Sequence, residues 1–265
     1  GSRMAGGVNI RGTGLMTVTD NTIVDSDATG ISVDAPEGVC IPTIRNNTVR
    51  QHGVHGIFVH GAVNGSIRDN TSTENGGTGV LVRKSSHLSV VDNTVTTNGS
   101  GGILIGLEND ETVPVGSNVT VTGNTVTASR GAGGVNIRGT GTMTVTGNTV
   151  ADSDASGISV SAPEGTCLPT IHNNTVRQHA AHGIFVRGAI NGSIHNNDNR
   201  ECAATCILDR ERSHLAVTDN IVDTSGNGGI LIGIGEDDGT PTGANFVVTG
   251  NSVTASRVAG GVNIR

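Results

Sequence analysis

The stretch NNTVRQHGVHGIFVHGAVNGSIRDN, residues 46–70, contains the pattern that decides the fold. It holds three short segments in which apolar and polar residues alternate: one follows Asn47, one follows Gly56 and one precedes Asn70. Alternation with a period of two is typical of strands that bury one face. Gly, Asn and Asp separate the segments, and these residues favour tight turns. The stretch therefore predicts three strands in a unit of 23 residues, the spacing from Asn47 to Asn70.

The same unit recurs along the whole chain and is marked by an Asn that is usually followed by Thr and an aliphatic residue. This Asn stands at positions 21, 47, 70, 93, 124, 148, 174, 197, 220 and 251. Three strands in each of about ten such units describe an all-β protein, a parallel β-helix (β-solenoid) of about ten coils. Equivalent strands would pair about 4.8 Å apart. The recurrent Asn residues would stack as a ladder of amides at an inner turn.

A longer repeat contains these units. The heptapeptide AGGVNIR begins at Ala5, Ala132 and Ala259, two intervals of 127 residues. We therefore interpret residues 1–265 as one β-helix domain made of two repeats, 5–131 and 132–258, followed by the start of a third, 259–265. Because the chain starts and stops at the same phase, it is expected to be a fragment of a longer array. Uncapped end coils would expose strand edges, which predicts head-to-tail self-association.

The alternation also predicts which side chains fill the coil. The expected inward residues of one sheet are Val8, Ile10, Ile31, Val33, Ile57, Val59, Val80, Val82, Ile103 and Ile105. A β-propeller and a leucine-rich repeat fit less well, because the first needs about four strands per 40 residues and the second a leucine skeleton.

Composition narrows the function classes. The net charge is −7, which argues against nucleic acid as a partner, and no run of 18 apolar residues is present to span a membrane. Cys202 and Cys206 are close enough for a disulfide, whereas Cys40 and Cys167 occupy equivalent repeat positions and are expected to be free and buried.

The units NNTVRQHGVHGIFVHGAVNGSIRDN and GNTVTASRGAGGVNIRGTGTMTVTGN resemble right-handed parallel β-helix repeats of the pectate-lyase-like superfamily. They are similar in particular to repeats of NosD-type periplasmic proteins and bacterial surface proteins. This resemblance implies a right-handed helix and a secreted, bacterial cell-surface or periplasmic location. The superfamily includes lyases, hydrolases, epimerases, adhesins and non-enzymes, so the resemblance predicts the fold more narrowly than the function.

Outward residues at the ends of four successive strands form a candidate catalytic column. In the first repeat the column is Arg11, Asp34, His60 and Arg83, and in the second it is Arg138, Ser161, Arg187 and Arg210. Asp34, His60 and Arg83 are suited to general acid–base chemistry on a sugar. The second repeat lacks both the carboxylate and the imidazole, so a charge-balanced, solvated ladder is the alternative interpretation.

Three histidines lie within the opening stretch: His52, His55 and His60. His52 and His55 alone would be a poor metal site because no carboxylate accompanies them. We expect His52 and His55, with their second-repeat equivalents His179 and His182, to be exposed residues of a turn.

Sugar binding commonly uses aromatic side chains, and the candidates are Phe58 and Phe185, five rungs and about 24 Å apart. Phe246 is a further aromatic residue. The arginines available to bind carboxylates are Arg11, Arg83, Arg138, Arg187 and Arg210. An anionic polysaccharide is therefore the predicted ligand.

Two acidic loops occupy equivalent positions. Their carboxylates are Glu108, Asp110 and Glu111 in the first repeat and Glu236, Asp237 and Asp238 in the second. Several carboxylates in a Gly/Pro loop can bind Ca²⁺, although the spacing matches no strict calcium motif and a solubilising role is the alternative.

The sequence favours a non-catalytic rod of a secreted or surface protein, a scaffold or adhesin that binds anionic polysaccharide and requires no cofactor. The alternative is a polysaccharide lyase, hydrolase or epimerase that uses Asp34, His60 and Arg83.

Overall fold

The protein folds as a parallel β-solenoid with three strands in each coil. The computed structural model describes residues 6–35, 40–84, 87–106, 117–162, 167–210, 214–233, 246–258 and 260–264. In these ranges every helix or strand assigned is a strand, and three all-parallel sheets contain eleven, ten and ten of them. No helix with the length and apolar character to cross a membrane occurs in the described ranges.

The three sheets take every third strand of the chain. Sheet A consists of β1 (Val8–Arg11), β4 (Ile31–Asp34), β7 (Ile57–His60), β10 (Thr78–Arg83), β13 (Gly101–Ile105), β16 (Val135–Arg138), β19 (Ile158–Ser161), β22 (Ile184–Arg187), β25 (Ile207–Arg210), β28 (Ile230–Ile232) and β31 (Val262–Ile264). Sheet B consists of β2 (Gly14–Thr19), β5 (Cys40–Arg45), β8 (Ser66–Arg68), β11 (Ser89–Val91), β14 (Ser117–Thr122), β17 (Thr140–Thr146), β20 (Cys167–His172), β23 (Gly192–His195), β26 (Leu215–Thr218) and β29 (Val247–Thr249). Sheet C consists of β3 (Thr22–Ser26), β6 (Thr48–His52), β9 (Thr71–Thr73), β12 (Thr94–Asn98), β15 (Thr125–Ser129), β18 (Thr149–Ser153), β21 (Thr175–His179), β24 (Asp198–Cys202), β27 (Ile221–Ser225) and β30 (Ser252–Thr254).

Equivalent residues of successive coils face one another across each sheet. Asp34, for example, pairs with Arg11 on one side and with His60 on the other. Sheet A has one strand more than the ten coils expected, because both β1 and β31 belong to it. The predicted fold class is confirmed.

The predicted inward residues of sheet A form much of the core. From Ile31 to Ile105 they are fully buried, whereas Val8 and Ile10 are half-buried. These two belong to β1, which pairs with β4 and is the outermost strand of sheet A among the described residues.

The Asn residues form the predicted ladder at the turn between sheets B and C. In a typical rung, Asn124 Nδ2 donates to Asn148 Oδ1 at 3.0 Å and to the Val90 carbonyl at 2.9 Å. The same link between successive Asn side chains continues from Asn21 to Asn251. The side-chain amides of these Asn residues thereby make nearly all of their hydrogen bonds within the protein, without water.

The residue before each ladder Asn has a left-handed backbone. Its φ is 58° at Asp20, 54° at Asn46 and 67° at Gly123. Asp, Asn and Gly tolerate this conformation best, which explains why the recurrent motif reads DN, NN or GN.

A second left-handed residue lies near the end of each sheet C strand and corrects one prediction. Gln51 and Gln178 both have φ of 61°, and this break in the alternation turns the next residue inward. His52 and His179 are therefore buried within the coil, so the expectation that they are exposed turn residues was wrong. His52 Nδ1 lies 3.2 Å from Ser26 Oγ, and His52 Nε2 lies 3.3 Å from the Ile23 carbonyl oxygen.

The four cysteines are in the states expected from the sequence. Cys202 and Cys206 form a disulfide, and Cys40 and Cys167 are free and buried.

Candidate functional site

The outer face of sheet A carries the column predicted from the sequence. In β4 and β7 the inward side chains are those of Val33 and Val59, and strand alternation places the next residues, Asp34 and His60, on the outer face. The pairing of β1, β4, β7 and β10 sets Arg11, Asp34, His60 and Arg83 side by side.

Within this column, the Asp34 side chain contacts the side chains of both neighbours, Arg11 and His60. His60 Nδ1 lies 2.8 Å from Asp34 Oδ1, and Arg11 Nε lies 3.7 Å from Asp34 Oδ2. Because a carboxylate only accepts hydrogen bonds, His60 donates through Nδ1, and its Nε2 is left as the basic nitrogen. This geometry orients an imidazole for proton transfer.

Arg83 belongs to an aromatic cluster instead of the Asp34 pair. Its guanidinium carbon lies 5.8 Å from the centroid of the Phe58 ring, within the range of a cation–π contact. The rings of His55 and His60 stack on either side of Phe58, with centroids 6.2 and 6.4 Å away. His55 is held in place because its Nδ1 accepts the Thr78 amide hydrogen at 3.1 Å.

The second repeat has the same pair of stacked His and Phe rings five strands further along sheet A, with Arg187 at the position of His60. The rings of His182 and Phe185 stack with centroids 5.8 Å apart. Burial lowers the pKa of both His55 and His182, and the charges of Arg83 and Arg210 respectively add to this. Neutral imidazoles at pH 7 therefore extend the apolar ring surface beside each Phe.

The column of the second repeat has the same register as that of the first, but its side chains are three arginines and a serine. Arg138, Ser161, Arg187 and Arg210 lie on the adjacent strands β16, β19, β22 and β25. The described structure thus brings the predicted arginines onto one face with Phe58 and Phe185.

Four leucines on the same face were missed by the sequence reasoning. Leu81 and Leu104 follow Phe58 in register, and Leu208 and Leu231 follow Phe185. Strand alternation places these four side chains on the outer face, yet each is at most 5% exposed. The signal in the sequence was a large apolar residue at an outward position next to an aromatic one.

The remaining candidates comprise the predicted histidine pair, Phe246 and the acidic loops. His52 is buried among the inward residues of sheet C, whereas His55 lies beside Phe58, so the two do not form the metal pair considered above. Among the described residues, no three His, Cys, Asp or Glu side chains are grouped to hold a metal ion. Phe246 packs against the core. The acidic-loop residues lie outside the described residues; they are Glu108, Asp110, Glu111, Glu236, Asp237 and Asp238.

Comparison with known proteins agrees with this architecture. Residues 6–133 and 114–265 match the family model described as the right handed beta helix region. No match was found among curated proteins.

Solved structures with the same fold include polysaccharide-active enzymes. The A-module of the mannuronan C-5 epimerase AlgE6 of Azotobacter vinelandii has a TM-score of 0.65 at 15% identity, covering 96% of this chain and 75% of that module. The corresponding AlgE4 module has a TM-score of 0.57 at 17% identity, covering 93% of this chain and 62% of that module. The catalytic unit of a GH87 alpha-1,3-glucanase from Streptomyces thermodiastaticus has a TM-score of 0.65 at 19% identity, covering 94% of this chain and 51% of that one. This chain thus spans less than two thirds of the AlgE4 module and of the glucanase unit, and identities this low establish a shared fold alone.

Proposed function

We propose that this chain, which belongs to the right-handed β-helix family, is a non-catalytic rod that binds a polysaccharide along the outer face of sheet A. The observation that carries the proposal is the pair of stacked His and Phe rings that recurs at equivalent positions, His55 with Phe58 and His182 with Phe185. A flat ring flanked by a neutral imidazole presents an amphipathic surface on which a sugar face can stack.

The spacing of the two clusters supports binding of an extended ligand. Five strand spacings separate them by about 24 Å. A polymer long enough to reach both clusters gains affinity, because the second contact forms within the first complex. Repetition of one binding element serves such a scaffold better than it serves a single active site.

The arginines favour an anionic polysaccharide. Arg11, Arg138 and Arg187 lie on the same face as the rings and are suited to bidentate contacts with carboxylates. The fold relatives named for mannuronan, a polyuronate, support this substrate class.

The disulfide supports a secreted or surface location. Cys202 and Cys206 are bonded within a buried turn, and disulfides persist in oxidising compartments.

The direct test is a calorimetric titration with oligomannuronate long enough to reach both clusters. We expect Phe58→Ala and Phe185→Ala each to weaken binding about tenfold, since each removes a stacking surface. The double variant should bind more weakly still, because a single contact cannot provide avidity.

The matched control is Leu168→Ala, which removes an apolar side chain 44% exposed on sheet B. It should leave the affinity unchanged. Equal affinities for the native protein and the double Phe variant would refute the proposed binding face.

A second candidate function is catalysis by the first repeat, favoured by the 2.8 Å contact between Asp34 and His60. Asp34 would orient the imidazole, and His60 Nε2 would remove the proton next to the carboxylate of a uronate. If the adjacent C–O glycosidic bond then breaks and its oxygen is protonated, the departing chain leaves as an alcohol and an unsaturated uronate remains, as in a lyase. If the same carbon instead takes a proton back on its other face, the reaction is an epimerisation.

Incubation with polymannuronate distinguishes this candidate from the first. An unsaturated or epimerised product that is lost in both His60→Ala and Asp34→Asn would identify an enzyme. Binding without any product would leave the rod as the function.

We also propose head-to-tail association of this chain. Among the described residues β1 and β31 are the outermost strands of sheet A, and Val262 and Ile264 of β31 are about half exposed. Unpaired strand edges with apolar neighbours favour pairing with another copy.

A further inference from the structure

We propose that Arg138, Ser161 and Arg187 form a carboxylate-binding subsite for the polysaccharide, and that Asp34 occupies the equivalent place in the first repeat. This inference rests on the proposed function and adds where along the rod the anionic group binds.

The first repeat supplies the template for the subsite. Asp34 lies between Arg11 and His60 in register, and its two oxygens contact both neighbours, at 3.7 Å and 2.8 Å. A carboxylate is therefore already bound at this position by two cationic or hydrogen-bonding neighbours, one from each adjacent strand. The protein's own side chain takes the place that a uronate carboxylate would need.

The second repeat keeps the first flanking arginine, replaces His60 with Arg187 and removes the carboxylate. Ser161 pairs with Arg138 on one side and with Arg187 on the other, at the register positions of Asp34, Arg11 and His60. A guanidinium carries five donors, so Arg187 can bind an incoming carboxylate in addition to its contacts within the protein. Ser161 has a smaller side chain than Asp34 and contributes a hydroxyl in place of the carboxylate.

Charge and exposure point to a ligand from solution. Arg138 is exposed, and Ser161 and Arg187 are half-buried. The column of the second repeat contains three arginines and no carboxylate, whereas Asp34 offsets one of the two arginines of the first. An anionic polymer is thus expected to anchor at the second repeat, with Phe185 beside it, and to reach Phe58 with a neutral sugar face.

Reciprocal exchange of the two residues tests the inference. Ser161→Asp gives the second repeat the internal carboxylate of the first, and Asp34→Ser does the reverse. With oligomannuronate as the probe, we expect Ser161→Asp to weaken binding about tenfold, the value of one charge-assisted contact. Asp34→Ser should strengthen binding several-fold, because it opens a second subsite.

Two controls separate the effect of the introduced negative charge from that of a disturbed structure. Ser161→Asn has the shape of the Asp variant without its charge and should bind oligomannuronate within about twofold of the native protein. A neutral alpha-1,3-glucan oligosaccharide, which stacks without a carboxylate, should bind all four proteins equally.

The outcomes are distinguishable. If the native protein binds oligomannuronate and neither exchange alters the affinity, the subsite is wrong and the proposed function stands. The subsite is also wrong if Ser161→Asn weakens binding as much as Ser161→Asp. Native protein that binds neither sugar overturns the proposed function together with the subsite.

Discussion

At the scale of single residues, conformation decides chemistry more than composition does. His52 and His179 look like members of a histidine cluster in the sequence, yet a left-handed residue before each one turns its ring into the coil. There is space for the ring because the facing residues, Gly30 and Gly157, have no Cβ; a Cβ at Gly157 would collide with the His179 ring. Period-two alternation predicts the opposite orientation, so this feature was beyond sequence reasoning.

The burial of His179 predicts a loss of stability in acid. Burial lowers its pKa from 6.5 to about 4, outweighing the neighbouring Val150 carbonyl. Between these values the unfolded chain binds a proton that the folded chain does not, so stability falls as the pH falls from 6.5 to 4. The full effect is about 3 kcal/mol. Urea denaturation at pH 7.5 and pH 4.5 measures it.

The variant for this test is His179→Asn, since Asn75 and Asn98 occupy the same inward row. It should lose much of the pH dependence, whereas Phe185→Ala should retain it. The same slope in native protein and His179→Asn would show that this histidine is not responsible.

At the scale of the element, the turn between sheets B and C was the most predictable part of the molecule. Its Asn recurs in the sequence, and the left-handed residue before it is restricted to Asp, Asn or Gly. The leucines on the outer face of sheet A were less predictable. Leu81 and Leu208 occupy outward positions but are almost completely buried, and strand alternation alone does not state what covers an outer face.

Substitution of a ladder Asn should lower the free energy of unfolding most at the centre of the ladder. Asn124→Ala removes donors to the Val90 carbonyl and Asn148 Oδ1 and takes the acceptor Asn124 Oδ1 from the buried backbone N–H of Asn93. The expected loss is about 3 kcal/mol in the free energy of unfolding, because unsatisfied buried groups keep their desolvation cost. Thermal and urea denaturation measure this loss.

The control for this prediction is Asn251→Ala at the last rung. Asn251 is half-buried, so its removal exposes groups that water can satisfy. A loss at Asn251 as large as that at Asn124 would contradict the ladder as a buried, cooperative feature.

At the scale of the whole molecule, the repeat in the sequence predicts the fold because each coil repeats one pattern of strands and turns. The site follows less directly. Register places Asp34 beside His60, as expected, but the stacking of Arg83 on Phe58 depends on side-chain packing that a residue pattern does not contain.

The exposed end strands predict assembly. Light scattering on this 26.7 kDa chain should give a mass that rises with concentration, because β31 is the outermost described strand of sheet A and its apolar side chains are half exposed. Ile264→Lys should reduce the rise, since it places a charge in the half-exposed inward row of β31. Leu168→Lys, on the side of the solenoid, is the matched control. A mass that stays at the monomer value at all concentrations would exclude this association.

The central claim is that the outer face of sheet A binds polysaccharide. The most direct measurement is a nuclear magnetic resonance titration of the isotope-labelled chain with oligomannuronate. We expect the largest shift changes on this face, at His55, Phe58, His182 and Phe185, with smaller changes in sheets B and C. Changes confined to sheets B or C, or no change at saturating sugar, would contradict it.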